Sequence, residues 1–169
     1  PPRPALTLPA YTIRVTDPLK HGDGVSSYVS YKVLATRTAG GGGSGSGAGV
    51  IRRFRDFAWL AGRLARTRRG AILPPLPEKT AVTGRLAAPS AAFVEGRRAA
   101  LETFLTSLAA HPLLADAPDL ASFLEAPEEE WALVMARADH ADAVQAGLAA
   151  DPAAAVPAPP PDAFAPAPT

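Results

Sequence analysis

The 169-residue chain contains no cysteine, so it can build neither disulfides nor thiolate metal sites. That absence fits a cytoplasmic protein. Its three histidines, His21, His111 and His140, lack the spacing of a ligand set, so no metal and no cofactor is expected. Aromatic residues make up only 7% of the chain, too few to stack successive bases, and no nucleic-acid motif occurs. Nucleic acid is therefore not an expected partner. No apolar run approaches the ~20 residues that cross a bilayer, and Pro1 to Pro9 carries no continuous apolar stretch of the kind a signal peptide needs. Membrane contact is expected to be peripheral. There is no paired Glu/His motif, no nucleophile elbow and no dinucleotide fingerprint, and bond-making chemistry is not expected.

What the chain does have is uneven charge. The residues before position 126 carry 16 basic against 9 acidic side chains, a net +7, whereas the remainder carries Arg137 against seven carboxylates, a net −6. A basic body with an acidic extension points to an anionic partner for the body.

Residues 1–9 are proline-rich and expected to be disordered. The alternation Tyr11, Ile13, Val15 predicts a strand stopped by Asp17-Pro18. A second strand is predicted by Tyr28, Val29, Tyr31, Val33 and Leu34, and a third by Val50 to Phe54, with the Gly/Ser run Gly40–Gly49 as a mobile hairpin tip between them. That run has no lysine or hydroxyl in the arrangement of a phosphate-binding loop. Helical spacing begins with Phe57, Leu60 and Leu64 and ends at Gly70. Leu73 to Pro77 reads as extended and polyproline-like. Ser90 is placed to cap a second helix carrying Phe93, Leu101, Phe104, Leu105 and Leu108, which His111-Pro112 stops. A short helix over 119–125 and an acidic one over 128–149 follow. The Ala/Pro-rich segment 151–169 cannot bury a core and is expected to be disordered. Strands first and helices after them predict an α+β domain, with three strands packed on a helical part and a proline-rich crossover between the first two helices.

Two segments carry the chemistry: Arg52-Arg53-Phe54-Arg55-Asp56-Phe57, and Leu73-Pro74-Pro75-Leu76-Pro77-Glu78-Lys79. Arginine's planar fork holds phosphate oxygens in pairs, lysine adds a compact charge, and an aromatic face can floor a ring-shaped ligand. On the residues alone Arg53 and Phe54 read as a solvated cation and a core aromatic at a strand end, and Arg52 is expected to face solvent or nonspecific anionic lipid. Asp56 reads as a helix N-terminal carboxylate, Phe57 and Trp59 as packing. The pair Arg97-Arg98 differs by about 100° around a helix, so both cannot enter one pocket. Arg98 is expected at the surface. Leu73–Glu78 can also be read as a proline-rich ligand for SH3-like domains.

The ordered pieces Arg52–Phe57, Pro74–Lys79, Phe93–Leu105, His111-Pro112 and Asp119–Glu125 resemble a phox-homology (PX) domain over residues 10–126. The opening Val15–Gly24 and Tyr28–Val33 is most similar to the retromer-associated sorting nexins that pair a PX with a BAR domain, although nothing BAR-like follows residue 126. The resemblance implies a three-stranded antiparallel sheet packed on helices. Between them it implies a pocket for phosphatidylinositol 3-phosphate, in which Arg53 holds the 3-phosphate and Phe54 lies under the inositol ring. Lys79 would meet the 1-phosphate, and Arg97 the 4- and 5-hydroxyls. Val82 and Leu86, before the second helix, would either insert into the bilayer or cap the core. The resemblance also implies recruitment to early endosomal membranes for protein sorting, with retromer or other sorting nexins as further partners. The alternative is a protein-interaction module on the same fold with a weak lipid site. On this reading the PX domain ends at 126, and 127–150 is a separate acidic helix.

Overall fold

A computed structural model describes residues 10–22, 27–38, 49–78 and 90–147. The N-terminal segment 1–9, most of the Gly/Ser run, residues 79–89 with Lys79, Val82 and Leu86, and the Ala/Pro segment 151–169 lie outside the described residues. The chain divides into two units, the first ending at Trp131 and the second beginning at Ala132.

Strands β1 (Tyr11–His21), β2 (Tyr28–Arg37) and β3 (Val50–Arg53) form one antiparallel sheet in that order. Its core face carries Tyr11, Ile13 and Val15 from β1 with Tyr31 and Val33 from β2, all buried at alternate positions as a half-buried sheet requires. Asp17-Pro18 does not stop β1, as the sequence suggested. It makes a bulge: the register shifts between Thr16 and Leu19, and Asp17 takes a positive φ of 49°. Proline, lacking an N–H, is tolerated where the ladder is already broken. The extra residue also flips the parity of β1, so that His21 pairs with Tyr28 on the face opposite Tyr11, Ile13 and Val15.

Gly49 enters β3 with φ +66°, and a Cβ there would sit 2.7 Å from Leu34 Cδ2 and 3.0 Å from the Val33 carbonyl. Only glycine fits.

Helix α1 (Phe54–Thr67) buries Phe57, Leu60 and Leu64, the stripe the spacing predicted. Helix α2 (Ala91–Ala110) starts where the Ser90 hydroxyl accepts from the Phe93 N–H at 3.2 Å and stops at His111, whose Nδ1 accepts from the Leu113 N–H. It packs along β1, and its side chains satisfy the free strand edge. Glu102 accepts from the Val15 N–H at 2.8 Å, and Arg98 donates to the Val15 carbonyl at 2.6 Å while pairing with Glu95 and Glu102. Arg98 is thus a half-buried clamp and not the surface residue expected. Its partner on β1, the Val15 carbonyl, lies far away in sequence.

Helix α3 (Pro118–Glu125) contributes Leu120, Phe123 and Leu124 to the core, and α4 (Glu128–Gln145) contributes Trp131 from its first turns. Tyr31, Phe57, Phe123, Trp131 and Trp59 follow one another edge to face, with centroids 5.0–6.5 Å apart. Between α1 and α2, residues 71–78 run without regular structure; Leu73, Pro74, Leu76 and Pro77 are half-buried, and Ile72, Pro75 and Glu78 are exposed. The three-stranded antiparallel sheet packed on helices, with a proline-rich crossover, is the α+β architecture the sequence predicted. Among the described residues no helix is long and apolar enough to cross a membrane.

Candidate functional site

Strand β3 turns directly into α1, and that junction fixes the first two candidate residues. Arg53, in extended backbone, is the N-cap of α1, and the Asp56 carboxylate accepts from its N–H at 2.7 Å. An acidic group suits this end of the helix dipole. The junction therefore holds Arg53 as the last strand residue and Phe54 as the first helical one.

Arg53 pairs with Ser30 of β2, which places its side chain on the sheet face that also carries Tyr28. Its guanidinium carbon lies 4.7 Å over the centre of the Tyr28 ring. Tyr28 in turn stacks on His21, with centroids 4.7 Å apart and planes 14° from parallel, and His21 Nε2 lies 2.7 Å from the Ser30 hydroxyl.

Arg97 reaches the junction from α2. Its guanidinium carbon lies 4.8 Å over Phe54 and 4.3 Å over Phe93, one turn earlier on its own helix, while Nη2 donates to the Glu78 carbonyl at 3.0 Å. The Tyr31 hydroxyl is fully enclosed nearby; burial raises its pKa, and the Arg97 charge partly opposes that rise. Arg97 thus joins α2, the start of α1 and the end of the proline-rich crossover. Phe54 and Arg97 are in contact, and Arg53 adjoins Phe54 in the chain. Lys79, Val82 and Leu86 lie outside the described residues, although Glu78, bonded to Arg97, immediately precedes Lys79.

Arg52 is not at the surface. It is fully buried, donating to the carbonyls of Phe123 (3.0 Å), Ile51 (2.9 Å) and Ala126, with its guanidinium over the Phe123 and Trp131 rings. Burial pushes its pKa down to about 10, against the attraction of Asp56 and Glu128. Successive strand residues point to opposite faces, so with Arg53 on the outer face Arg52 must enter the core. Two of the three carbonyls that make this tolerable, those of Phe123 and Ala126, lie over 70 residues away and leave no local signal. Tyr28 and Phe93, which lie under Arg53 and Arg97, read from sequence only as strand and helix packing residues, and His21, stacked on Tyr28, only as a histidine without ligand spacing. Strand alternation alone could have placed Tyr28 beside Arg53, but His21 required knowledge of the bulge.

Comparison with known proteins agrees with this architecture. Residues 43–127 match the family model described as PX domain. Sorting nexin 1 of Arabidopsis thaliana is 45% identical over 128 residues, covering 76% of this chain and 31% of the relative. Human Sorting nexin-1 and Sorting nexin-2 are 40% and 44% identical, each covering 69% of this chain and 24% of the relative. The chain thus spans 24–31% of the length of these relatives. A solved structure titled as a designed CISK-PX domain superposes with a TM-score of 0.53 at 30% identity, covering 68% of this chain and 99% of that one.

Proposed function

The chain belongs to the PX domain family, and on that premise we propose that it binds phosphatidylinositol 3-phosphate and brings the protein that carries it to endosomal membranes for cargo sorting. In this reading Arg53 holds the 3-phosphate, Phe54 floors the inositol ring, Lys79 meets the 1-phosphate and Arg97 takes the vicinal hydroxyls. The observation that carries it is the seat of Arg97, laid over Phe54 and bonded to the carbonyl beside Lys79. One side chain there ties together three segments that each contribute a candidate ligand. A guanidinium over an aromatic face keeps its in-plane N–H groups available at its edge.

Diffuse attraction of the +7 body to anionic lipid would add to headgroup capture and fade as salt rises. Val82 and Leu86 are proposed to enter the bilayer interface beside the pocket, each contributing up to ~1.5–3 kcal/mol if fully buried. The protein would act at the cytoplasmic face of early endosomes as a peripheral component, alongside retromer or other sorting nexins. The reading requires no bond-making step and no cofactor.

Flotation with vesicles of matched charge tests it. Vesicles carrying phosphatidylinositol 3-phosphate should retain the chain in preference to those carrying other singly phosphorylated inositides, and Arg53→Ala should abolish the preference. Equal weak retention by all, unchanged by Arg53→Ala, would refute it. A partner protein whose binding survives Arg53→Ala while no lipid is retained would favour an interaction module instead.

A further inference from the structure

Tyr28 is a large aromatic that remains 41% exposed, yet both faces of its ring are occupied. Arg53 lies over one at 4.7 Å, and His21 is stacked on the ring at 4.7 Å. His21 is itself held by the Ser30 hydroxyl at 2.7 Å. Each strand supplies a layer: His21 from β1, Tyr28 and Ser30 from β2, and Arg53 from β3. The assembly depends on the Asp17-Pro18 bulge, because without the extra residue His21 would fall on the core face.

From this geometry we infer that Tyr28, backed by His21, is a positioning residue that presets the Arg53 guanidinium for a phosphate. The inference rests on the proposed phosphoinositide reading, since it assigns Arg53 the phosphate. An arginine must freeze several side-chain torsions before it can hold phosphate bidentately, and a ring beneath its face removes much of that freedom in advance. The stack uses the guanidinium face, while phosphate needs the N–H groups at its edge, so support and ligand do not compete. In this role Tyr28 acts through the arginine, whose guanidinium face it supports. His21 limits the tilt of the Tyr28 ring and is in turn anchored by Ser30.

A ring that merely covered the sheet would serve equally well whatever its electronics, whereas one that attracts a cation would not. The test therefore places phenylalanine and then di- and trifluorophenylalanine at position 28 of the full chain, with Tyr28→Leu as the ring-free variant. Binding is read on vesicles containing phosphatidylinositol 3-phosphate, with thermal melting as the check on folding. Tyr28→Phe should bind close to wild type, affinity should fall stepwise with fluorination, and Tyr28→Leu should be about three- to tenfold weaker. None of these changes should add to the loss in Arg53→Ala. Equal affinity across the fluorinated series, or undiminished binding by Tyr28→Leu, would overturn the inference.

A lipid-independent readout separates its failure from that of the parent reading. The Arg53 Nε–H resonance, assigned by its loss in Arg53→Ala, should be sharp and shifted by ring currents in wild type but averaged in Tyr28→Leu. If that holds while Arg53→Ala leaves lipid binding unchanged, Arg53 is held but is not the phosphate ligand, and the phosphoinositide reading falls. If Arg53→Ala loses lipid while Tyr28→Leu leaves both the resonance and binding intact, only the positioning role falls.

Discussion

Arg52 and Arg53 are neighbours with opposite tasks. Arg53 stands on the outer sheet face against Tyr28, whereas Arg52 is buried among carbonyls of β3, α3 and the residue after it. Removing Arg52 would open a cavity and strand those carbonyls, so Arg52→Ala should lower stability by about 2–4 kcal/mol in chemical denaturation. Arg52→Lys should recover only part of this, because an ammonium lacks the planar fork. The fraction that remains folded should bind lipid as wild type does. Motif position singles out Arg53 from sequence, and leaves Arg52 facing solvent or anionic lipid, which the structure overturns. Strand alternation sends Arg52 inward once Arg53 is outward, and a buried cation is tolerable there because of the distant acceptors on Phe123 and Ala126.

Glu125 gives a pH test at this scale. Its carboxyl is held below the ordinary carboxylate range chiefly by the hydrogen bond from Arg37, aided by that from Tyr11 and opposed by burial. A lowered folded-state pKa contributes stability that is complete above the unfolded value of 4.5 and is lost as pH falls through the folded value. The pair is largely exposed, so the contribution is small and salt-sensitive. Denaturation at about pH 6 and about pH 3 should show a smaller acid-induced loss in Glu125→Gln than in wild type.

Among the elements, β1 and the entry to β3 were read least completely. Asp17-Pro18 has the composition of a stop, and a strand ending there is the simplest local reading. The neighbouring β2 supplies enough pairing beyond the interruption to continue the ladder to His21 as a bulge. The stripe of α1, that of α2 from Leu101 to Leu108 and the Ser90 cap were legible from local sequence, whereas Phe93 is half-exposed and lies under Arg97 instead of in the core. Of the glycine run only Gly49 is among the described residues, and its backbone requirement has no local signal. Gly49 combines a positive φ with no room for a Cβ, so Gly49→Ala should cost about 1–3 kcal/mol in thermal or urea unfolding. A valine would cost more.

For the whole molecule, Trp131 sets how far the folded body extends. It is 2% exposed and packs edge to face on Trp59 and Phe123 above the Arg52 guanidinium. We propose that the stable body ends within the first turns of α4, past the boundary at 126 suggested by motif. Truncation after Pro127 should then destabilise the body by about 3–5 kcal/mol, as should Trp131→Ala, while truncation after Gly147 should not. The residues of the candidate site were legible as three separate motifs because each carries its own residue signature. What joins them, Arg97 on Phe54 and on the Glu78 carbonyl, is a tertiary contact that no local pattern encodes.

The most direct test is calorimetric titration of the full chain with soluble short-chain phosphatidylinositol 3-phosphate, for wild type, Arg53→Ala and Arg97→Ala. Wild type is expected to bind one ligand saturably, and each substitution to weaken binding about 10- to 100-fold, the worth of a lost charge-assisted hydrogen bond. Equal affinity for the 4-phosphate isomer, or unchanged affinity in both variants, would contradict the proposed site.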